Sequence, residues 1–445
     1  MRYHQNREYT PILISGAVRG EKDCPFHDYR FFLVFKKTTL TTTKATVKYD
    51  GKPKYHKMNW NFKHPVLLGG LVLVLILAGI VVFSETFGAE PNPTGNPIGG
   101  GQGYSRIISP TEPGVRYVVS TKDQLIDALG RAQSGDVVFV NANIDLTGEI
   151  PLGIPAGVTL AGNRGFRASP DAPVSSGATI KKTAHTPGFI GSPDSNGWTT
   201  SSWEEPMFYI MGDGVRVTGL QLEGEMAPQD DESVPEDMYL VGIFANAKKG
   251  FEVDNNEIRG WSWSGISLKE CPDAYVHHNY IHSNQARGEG YGSNLYGGSA
   301  LFEANLYDYN RHAIAGAGYP DEGYEARYNI ILGNGNATGA HHFDVHAYPP
   351  GQNETVDSIA GSEYKIHHNT FESTDLPCIG IRALPQKGVW IDHNIFTTRY
   401  DDPPVFQRSA GTFGGIYMTR NYIGKAGAEA VLVPGEDIED LPPPA

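Results

Sequence analysis

The sequence predicts an all-β protein, built as a right-handed parallel β-helix (a solenoid) with an N-terminal capping helix, preceded by a single transmembrane helix. Three observations lead to this expectation. The 445 residues include 53 Gly and 30 Pro, and only 19% are charged, which is typical of a turn-rich β fold and excludes a coiled coil. A short motif recurs along the second half of the chain, and one uncharged apolar segment lies well ahead of it.

The recurring motif consists of an apolar residue, any residue, an apolar residue, two residues, Asn, any residue and an apolar residue. Seven segments carry it, from FEVDNNEI at 251–258 to IYMTRNYI at 416–423. Successive asparagines are 23 to 27 residues apart, with one interval of 40, and they are Asn256, Asn279, Asn305, Asn329, Asn369, Asn394 and Asn421. This period is too short for helix-pair repeats, which need about 33 residues, and for propeller blades, which need roughly 40–45.

A chain that makes one turn per repeat places equivalent residues above one another, about 4.8 Å apart. We therefore expect an interior column of apolar side chains and a ladder of hydrogen-bonded asparagines. Because Asn tolerates the left-handed αL conformation, we expect these asparagines to form the bend themselves. Cys271 and Cys378 fall four intervals apart, roughly 19 Å along the stack, which excludes a disulfide bond between them.

The expected organisation has five parts. Residues 1–64 form a basic cytoplasmic segment, unless the true start codon lies further along, and 65–83 form the transmembrane helix. Residues 84–115 form a flexible Pro/Gly-rich linker. The β-helix domain covers 116–430, and an acidic Pro-rich tail covers 431–445.

The membrane assignment depends on residues 66–83, which are uncharged over 18 residues, or about 27 Å as a helix. Basic residues precede this segment and Glu85 follows it, so the positive-inside rule places the N-terminus in the cytoplasm and the bulk of the chain outside. Cleavage as a signal peptide, which would leave the domain secreted, is the alternative.

The charge of the chain is divided unevenly. Residues 1–64 contain 13 Lys/Arg and 5 Asp/Glu, whereas the remaining chain contains 23 and 45. An acidic body repels phosphate backbones, which excludes nucleic acid as a partner of the β domain.

A short amphipathic helix is predicted at 121–132, where it would cover the open end of the stack. This helix, the strand DVVFV at 136–140, the segment IPAGVTLAGNRG at 154–165 and the Asn repeats resemble the pectin-lyase-like right-handed parallel β-helix superfamily over 116–430. The resemblance implies the architecture but no single activity, since the superfamily includes lyases, hydrolases, epimerases and non-enzymatic surface proteins. The calcium-Asp and Arg signature of pectate lyases is not found, so no catalytic residue is carried over.

The 40-residue interval between two asparagines is the most promising place for function, because long loops on regular scaffolds often carry it. It contains HHFDVH at 341–346, where strand alternation would place His342, Asp344 and His346 on one face. Stacking of neighbouring turns adds further residues to the same outer strip, namely Lys269, Arg311, His312, Tyr348, Arg382 and Arg408. An elongated groove with cationic and aromatic groups suits an acidic polysaccharide.

Cleavage of a uronate by β-elimination needs a neutralised carboxylate, a base and an acid. Arg311 and Arg382 would neutralise the carboxylate, and His312 or His342 would act as the base. Asp344 would orient a histidine.

The remaining strip residues would bind substrate, and they are Lys269, Arg408, Tyr348 and His346. Hydrolysis instead needs two carboxyl groups about 5–9.5 Å apart, and only Asp344 is evident in the strip. The sequence therefore favours a lyase over a hydrolase.

Two other interpretations stay open. His342, Asp344 and His346 are candidate ligands of a transition metal, with His312 as a fourth. Alternatively, the repeat itself is the function, in a non-catalytic adhesion or structural protein of the cell surface. The acidic loop at 223–237 is compatible with Ca²⁺, but the sequence requires no cofactor and does not predict the oligomeric state.

Overall fold

The computed structural model describes residues 12–17, 28–33, 92–187, 205–226, 239–286, 288–333, 341–348, 358–372, 378–397, 404–407, 414–424 and 431–432. The chain divides into two compact units, Met1–Thr86 and Phe87–Ala445. In the first unit, Ile12–Ala17 and Asp28–Leu33 pair as antiparallel strands. The predicted membrane span at 65–83 lies outside the described residues, and no described helix has the length and apolar character needed to cross a bilayer.

The described part of the second unit is mostly β structure, in long parallel sheets, as the all-β prediction requires. One sheet has 18 described strands, which are Val115–Val119, Val137–Val140, Leu152–Ile154, Thr159–Ala161, Glu205–Ile210, Arg216–Thr218, Leu240–Asn246, Glu252–Asp254, Ser264–His277, Tyr291–Glu303, His312–Gly316, Gly323–Arg327, Phe343–Val345, Glu363–His367, Ile379–Ile381, Gly388–Asp392, Val405–Gln407 and Gly415–Thr419. A second sheet has 11 described strands, which are Ile144–Asp145, Thr179–Lys181, Gln221–Glu223, Glu257–Arg259, Tyr280–His282, Leu306–Asp308, Ile330–Leu332, Thr370–Glu372, Ile395–Thr397, Tyr422–Gly424 and Val431–Leu432.

Strands of the second sheet pair with strands one repeat away in the chain. Glu257–Arg259 pairs with Tyr280–His282, which pairs with Leu306–Asp308 on its other side. All pairings within the two sheets are parallel except the last, in which Val431–Leu432 extends the sheet into the predicted tail at 431–445. The pattern is consistent with a parallel β-helix, in which each turn of the chain stacks on the one before.

The predicted asparagine ladder is confirmed. From Asn256 to Asn394, each side-chain amide donates a hydrogen bond to the Oδ1 atom of the next asparagine in the series, over 2.9–3.2 Å. The same amides also donate to backbone carbonyls, as Asn329 does to Phe302 O at 2.9 Å. All seven asparagines are buried, so the ladder satisfies polar groups that water does not reach.

The prediction that the asparagines themselves adopt αL is wrong. The residue before each asparagine has the positive φ, between 52° and 57°, and these residues are Asn255, His278, Ala304, Tyr328, His368, His393 and Arg420. The bend is therefore made one residue earlier, which leaves each asparagine in position to direct its amide along the stack. Residues 215–222 (VRVTGLQL) form a partial copy of the motif that lacks the asparagine; there Gly219 has φ +71°, and Leu220 N donates to Asn256 Oδ1 at 3.0 Å.

The predicted helix spans Lys122–Arg131. Thr121 is its N-cap and accepts a hydrogen bond from Gln124 N, while Gln124 Oε1 accepts one from Ser120 N at 2.8 Å. Its buried face consists of Leu125, Ala128 and Leu129, which belong to the main apolar core.

The predicted linker at 84–115 is not a free tether where the structure describes it. Gly101 N donates to Asn255 Oδ1 at 2.7 Å, and Tyr104 Oη donates to Asp254 Oδ2 at 2.8 Å. Thr94 Oγ1 lies 2.8 Å from His278 Nε2. These contacts fix residues 92–115 along the bends, because the Gly-rich sequence lets the backbone approach the neighbouring turns closely.

The two cysteines of the stack are consistent with the predicted register. Cys271 and Cys378 are buried and carry free thiols, so the expectation that they form no disulfide is confirmed. Burial raises the pKa of the Cys378 thiol well above its ordinary value, and the sulfur behaves as a small apolar group.

Replacing a central asparagine should destabilise the stack. In Asn329→Ala, the backbone and side-chain donors of Asn305 lose their acceptor, and each buried unsatisfied group costs about 1–3 kcal/mol. We expect the free energy of unfolding, measured by urea denaturation, to fall by at least about 2 kcal/mol. The exposed Asn141 offers a control, since Asn141→Ala should change stability little. Equal stabilities of the two variants would contradict a structural role for the ladder.

Candidate functional site

One face of the 18-stranded sheet brings distant residues into register. Its described strands there include Ser264–His277, Tyr291–Glu303, His312–Gly316, Phe343–Val345 and Ile379–Ile381. One column across these strands contains Ser267, Asn294, Ala315, Asp344 and Gly380. Apolar residues such as Ile314 and Phe343 occupy the neighbouring column and belong to the core, so the Asp344 column faces away from the interior.

A cleft of about 410 Å³ lies on this face. Its lining includes Trp263, Glu289, Tyr291, Asn294, Tyr296, Arg311, Asp344, His346 and Arg382. A larger cleft, of about 530 Å³, lies over Asp273, Ser299, Lys365 and Lys387 and contains none of the predicted site residues. We therefore place the candidate site in the smaller cleft.

Asp344 lies at the centre of a charged cluster at the base of the cleft. Its carboxylate oxygens lie 2.9 Å from His341 Nε2 and 3.0 Å from Arg382 Nη2, and His312 Nε2 is 3.9 Å away. Burial alone would raise the pKa of Asp344, but the charges of His341 and Arg382 hold it well below its usual range. Asp344 is therefore a carboxylate at neutral pH.

Arg382 connects this cluster to His346. Arg382 Nη1 lies 2.8 Å from His346 Nε2, and His346 Nδ1 lies 2.7 Å from Ala347 O. A carbonyl oxygen only accepts, so Nδ1 carries the proton and Nε2 accepts from the guanidinium. Arg382 is thus held from two sides, by Asp344 and by His346.

His312 lies behind the cleft wall. Its ring is stacked on the Tyr291 ring at 5.6 Å between centroids, and Tyr291 faces the cleft. Burial, followed by the charges of His341 and Arg311, lowers the pKa of His312 well below its ordinary value. The predicted role of His312 as a base on substrate is not supported by this position, because the tyrosine ring lies between it and the cleft.

His342 does not join Asp344 and His346 on one face, contrary to expectation. The strand begins only at Phe343, so regular alternation does not extend back to His342. The backbone oxygen of His342 accepts a hydrogen bond from Ala313 N, and the His342 ring contacts the interior Phe371 ring. Burial lowers the pKa of His342 to about 3. His341 takes the place beside Asp344 that the sequence assigned to His342.

Arg311 is the second cationic group of the cleft lining, beside Arg382. It is only 9% exposed, and its guanidinium carbon lies 5.8 Å from the centroid of the Tyr291 ring. Within the described part of the chain, Arg311 forms no ion pair and its Nε atom has no hydrogen-bond partner. A buried cation without a partner is costly unless a ligand supplies the opposite charge.

Glu289 is a carboxyl group that the sequence reasoning missed. It lies in the cleft and is partly exposed, and burial raises its pKa to about 7, against smaller opposing effects of Tyr291 and Arg311. Burial also raises the pKa of Tyr291 well above its ordinary value, so the phenol stays protonated. A carboxyl with a pKa of about 7 is suited to proton transfer near neutral pH, whereas the phenol keeps its proton there.

The structure brings four of the predicted residues together in the cleft, and they are Arg311, Asp344, His346 and Arg382. Tyr348 lies beside the cleft. Its ring centroid is 4.8 Å from that of Tyr319, and the Tyr319 ring contacts Tyr296 of the lining. Lys269 pairs in register with Tyr296 but is not part of the lining. Arg408 lies outside the described residues.

No protein-family model and no curated protein matches this sequence. Among solved structures, the chain is similar to an alginate lyase from Paenibacillus sp. str. FPU-7, with 14% identity over 69% of this chain and 96% of that one, and a TM-score of 0.40. It is also similar to a GH136 lacto-N-biosidase from Eubacterium ramulus, with 13% identity over 70% of this chain and 68% of that one, and a TM-score of 0.39. A third similar structure is a DFA-IIIase from Arthrobacter chlorophenolicus A6, with 16% identity over 70% of this chain and 81% of that one, and a TM-score of 0.39. At these low TM-scores the fold is assigned from the sheets of this chain, and its function is argued from the cleft.

The raised pKa of Glu289 predicts a pH-dependent stability difference. The native carboxyl keeps its proton up to about pH 7, whereas the unfolded one releases it near pH 4.5, so its contribution to the free energy of unfolding falls over this range. We expect Glu289→Gln to be more stable than the wild type at about pH 8, by at most about 3 kcal/mol, and to differ little at about pH 4. Thermal melts across this range measure the difference. The exposed Glu372 provides the control Glu372→Gln, and a difference that does not grow with pH would contradict the raised pKa.

Proposed function

We propose that this chain binds an acidic glycan in the cleft and cleaves it by β-elimination. The observation that carries the proposal is Arg311, a buried guanidinium in the cleft wall that forms no ion pair among the described residues. The carboxylate of a uronate would supply the missing charge. Trp263 and Tyr296 line the same cleft and offer apolar ring faces to a sugar.

Each step of the elimination would be carried out by one group of the cleft. Arg311 neutralises the uronate carboxylate, which acidifies the adjacent C–H bond. Glu289, as its carboxylate, takes that proton, and the electron pair forms the new C=C bond as the glycosidic C–O bond breaks. Tyr291 donates its proton to the leaving oxygen. Asp344 and His346 hold Arg382 in position from two sides.

Hydrolysis is the second candidate, because the cleft contains two carboxyl groups and not the single one evident from sequence. Glu289 has a raised pKa and Asp344 a lowered one, which is the division expected of an acid and a base. The reason for preferring a lyase on carboxylate count is thereby removed. Arg311 now supplies the reason for preferring a lyase, since cleavage of a neutral sugar does not need a buried cation that lacks an ion pair.

Loss of the Arg311 charge should abolish cleavage. The purified full-length chain is incubated with a panel of uronate polymers and neutral glycans, and both unsaturated ends and reducing ends are measured. We expect Arg311→Leu and Glu289→Gln to lower the rate at least about 100-fold, because each removes a group required in the transition state. Arg131→Leu is a matched control, since Arg131 also lies over a tyrosine ring, at 5.6 Å from the Tyr117 centroid, on an exposed helix.

The product distinguishes the alternatives. Unsaturated ends from a uronate support elimination, whereas reducing ends without unsaturation identify a hydrolase. Binding of a uronate without any product, or no binding at all, would contradict the enzymatic proposal and favour a non-catalytic surface protein.

We propose further that the stack is right-handed, as in the pectin-lyase-like superfamily, that the helix Lys122–Arg131 covers its first turn, and that residues 65–83 tether it to a membrane. The N-terminus would then lie in the cytoplasm and the cleft outside. Alkaline washing of membranes should leave the wild type in the pellet, and deletion of 65–83 should release it. A shortened chain in the soluble fraction of wild-type cells would instead indicate signal cleavage.

A further inference from the structure

We propose that His312, His341 and Asp344 bind a divalent transition-metal ion behind the cleft wall. One potential ligand atom of each residue lies within 4.8 Å of the other two, and the three residues are at most 2% exposed. This set differs from the one expected from sequence. His342 contacts the interior, and His346 Nε2 already accepts from Arg382.

The spacing suits a shared ion. His341 Nε2 and Asp344 Oδ1 are 2.9 Å apart, and His312 Nε2 and Asp344 Oδ2 are 3.9 Å apart. Imidazole and carboxylate ligands at about 2.0–2.2 Å from one zinc ion lie roughly 3–4 Å from each other. The measured separations of the two imidazoles from Asp344 are therefore compatible with coordination of one ion.

The protonation of His312 leaves its inner nitrogen ready to coordinate. His312 Nδ1 lies 2.5 Å from the backbone oxygen of His341, which only accepts, and 3.3 Å from His341 N, which only donates; the much shorter contact assigns the proton to Nδ1. Nε2 then has a free lone pair, and this buried atom has no hydrogen-bond partner among the described residues. Metal-binding histidines typically donate their other N–H to a carbonyl or carboxylate in this way.

In a second cluster of potential metal ligands, other side chains already bind the carboxylate. Glu252, Asp254 and His277 also gather close together, but Arg216 binds both oxygens of Asp254, at 2.7 and 2.6 Å, and Tyr104 donates to Asp254 as well. In the His312 cluster, Arg382 approaches Asp344 Oδ2, from which His312 Nε2 lies 3.9 Å, whereas Asp344 Oδ1 faces His341 Nε2 and contacts no arginine among the described residues.

The donor set defines the class of ion. Two imidazoles and one carboxylate suit zinc, cobalt, iron or manganese, whereas Ca²⁺ and Mg²⁺ prefer oxygen ligands. Water or another small ligand would complete the coordination.

The test uses the purified full-length chain, stripped with a chelator and titrated with Zn²⁺ or with Co²⁺ as a spectroscopic probe. We expect one equivalent to bind, Co²⁺ to develop visible absorption bands, and the melting temperature to rise with Zn²⁺. His312→Ala and His341→Ala should each weaken binding by about 100-fold or more, above the 10–100-fold typical of outer partners. His342→Ala is the matched control, since this neighbouring buried histidine lies outside the cluster and its loss should leave metal affinity unchanged.

Several outcomes would overturn the proposal. They are absence of stoichiometric binding by the wild type, retention of binding by His341→Ala, and equal loss of binding in His342→Ala. If the alanine variants do not fold, pulsed electron paramagnetic resonance of the Cu²⁺-loaded wild type counts the coordinated imidazoles. Two are expected, and fewer than two would exclude the site. None of these readouts depends on glycan cleavage, so they separate failure of the metal proposal from failure of the proposed function.

Discussion

In-register stacking of parallel strands is the constraint on which the rest of this structure depends. The buried asparagine ladder enforces it, because each amide donates to a backbone carbonyl and to the next asparagine, while each Oδ1 accepts from the previous turn, as Asn305 and Asn329 do. A slip of one residue would exchange the inner and outer side chains of a turn and leave these amides without partners. Register is thus fixed by hydrogen bonds at the bends as well as by apolar packing along the strands.

The cleft is a consequence of that register. Asn294 and Asp344 are 50 residues apart in sequence, but they occupy one outward column of the stack, with only Ala315 of the intervening strand between them. The long interval before Asn369 alters this column locally, because His341 precedes the strand and folds back to within 2.9 Å of Asp344. A regular scaffold therefore supplies most of the positions, and a single departure from regularity supplies the histidine that completes the charged cluster.

Sequence alone predicted those features that repeat or follow local rules. The asparagine ladder, the Thr121 cap and the free state of Cys271 and Cys378 all follow from periodicity or capping chemistry. The direction of His342 could not be predicted, because it depends on where the strand starts. Glu289 was missed for another reason: it lies on a connection without the motif, and its raised pKa arises only from burial among residues of other turns.

The polar groups of the cleft divide into two kinds, and the division bears on what the cleft binds. Asp344, Arg382 and His346 contact one another over 2.8–3.0 Å and so form one connected cluster, although Arg382 Nε has no hydrogen-bond partner among the described residues. Arg311 Nε and Asn294 Oδ1 lie outside this cluster, and they too are buried atoms without hydrogen-bond partners among the residues described. Folded proteins rarely leave such atoms unsatisfied, and the exceptions concentrate at functional sites. A donor and an acceptor left open across one cleft are complementary to a ligand that carries both a carboxylate and hydroxyl groups, which is the chemistry of a uronate.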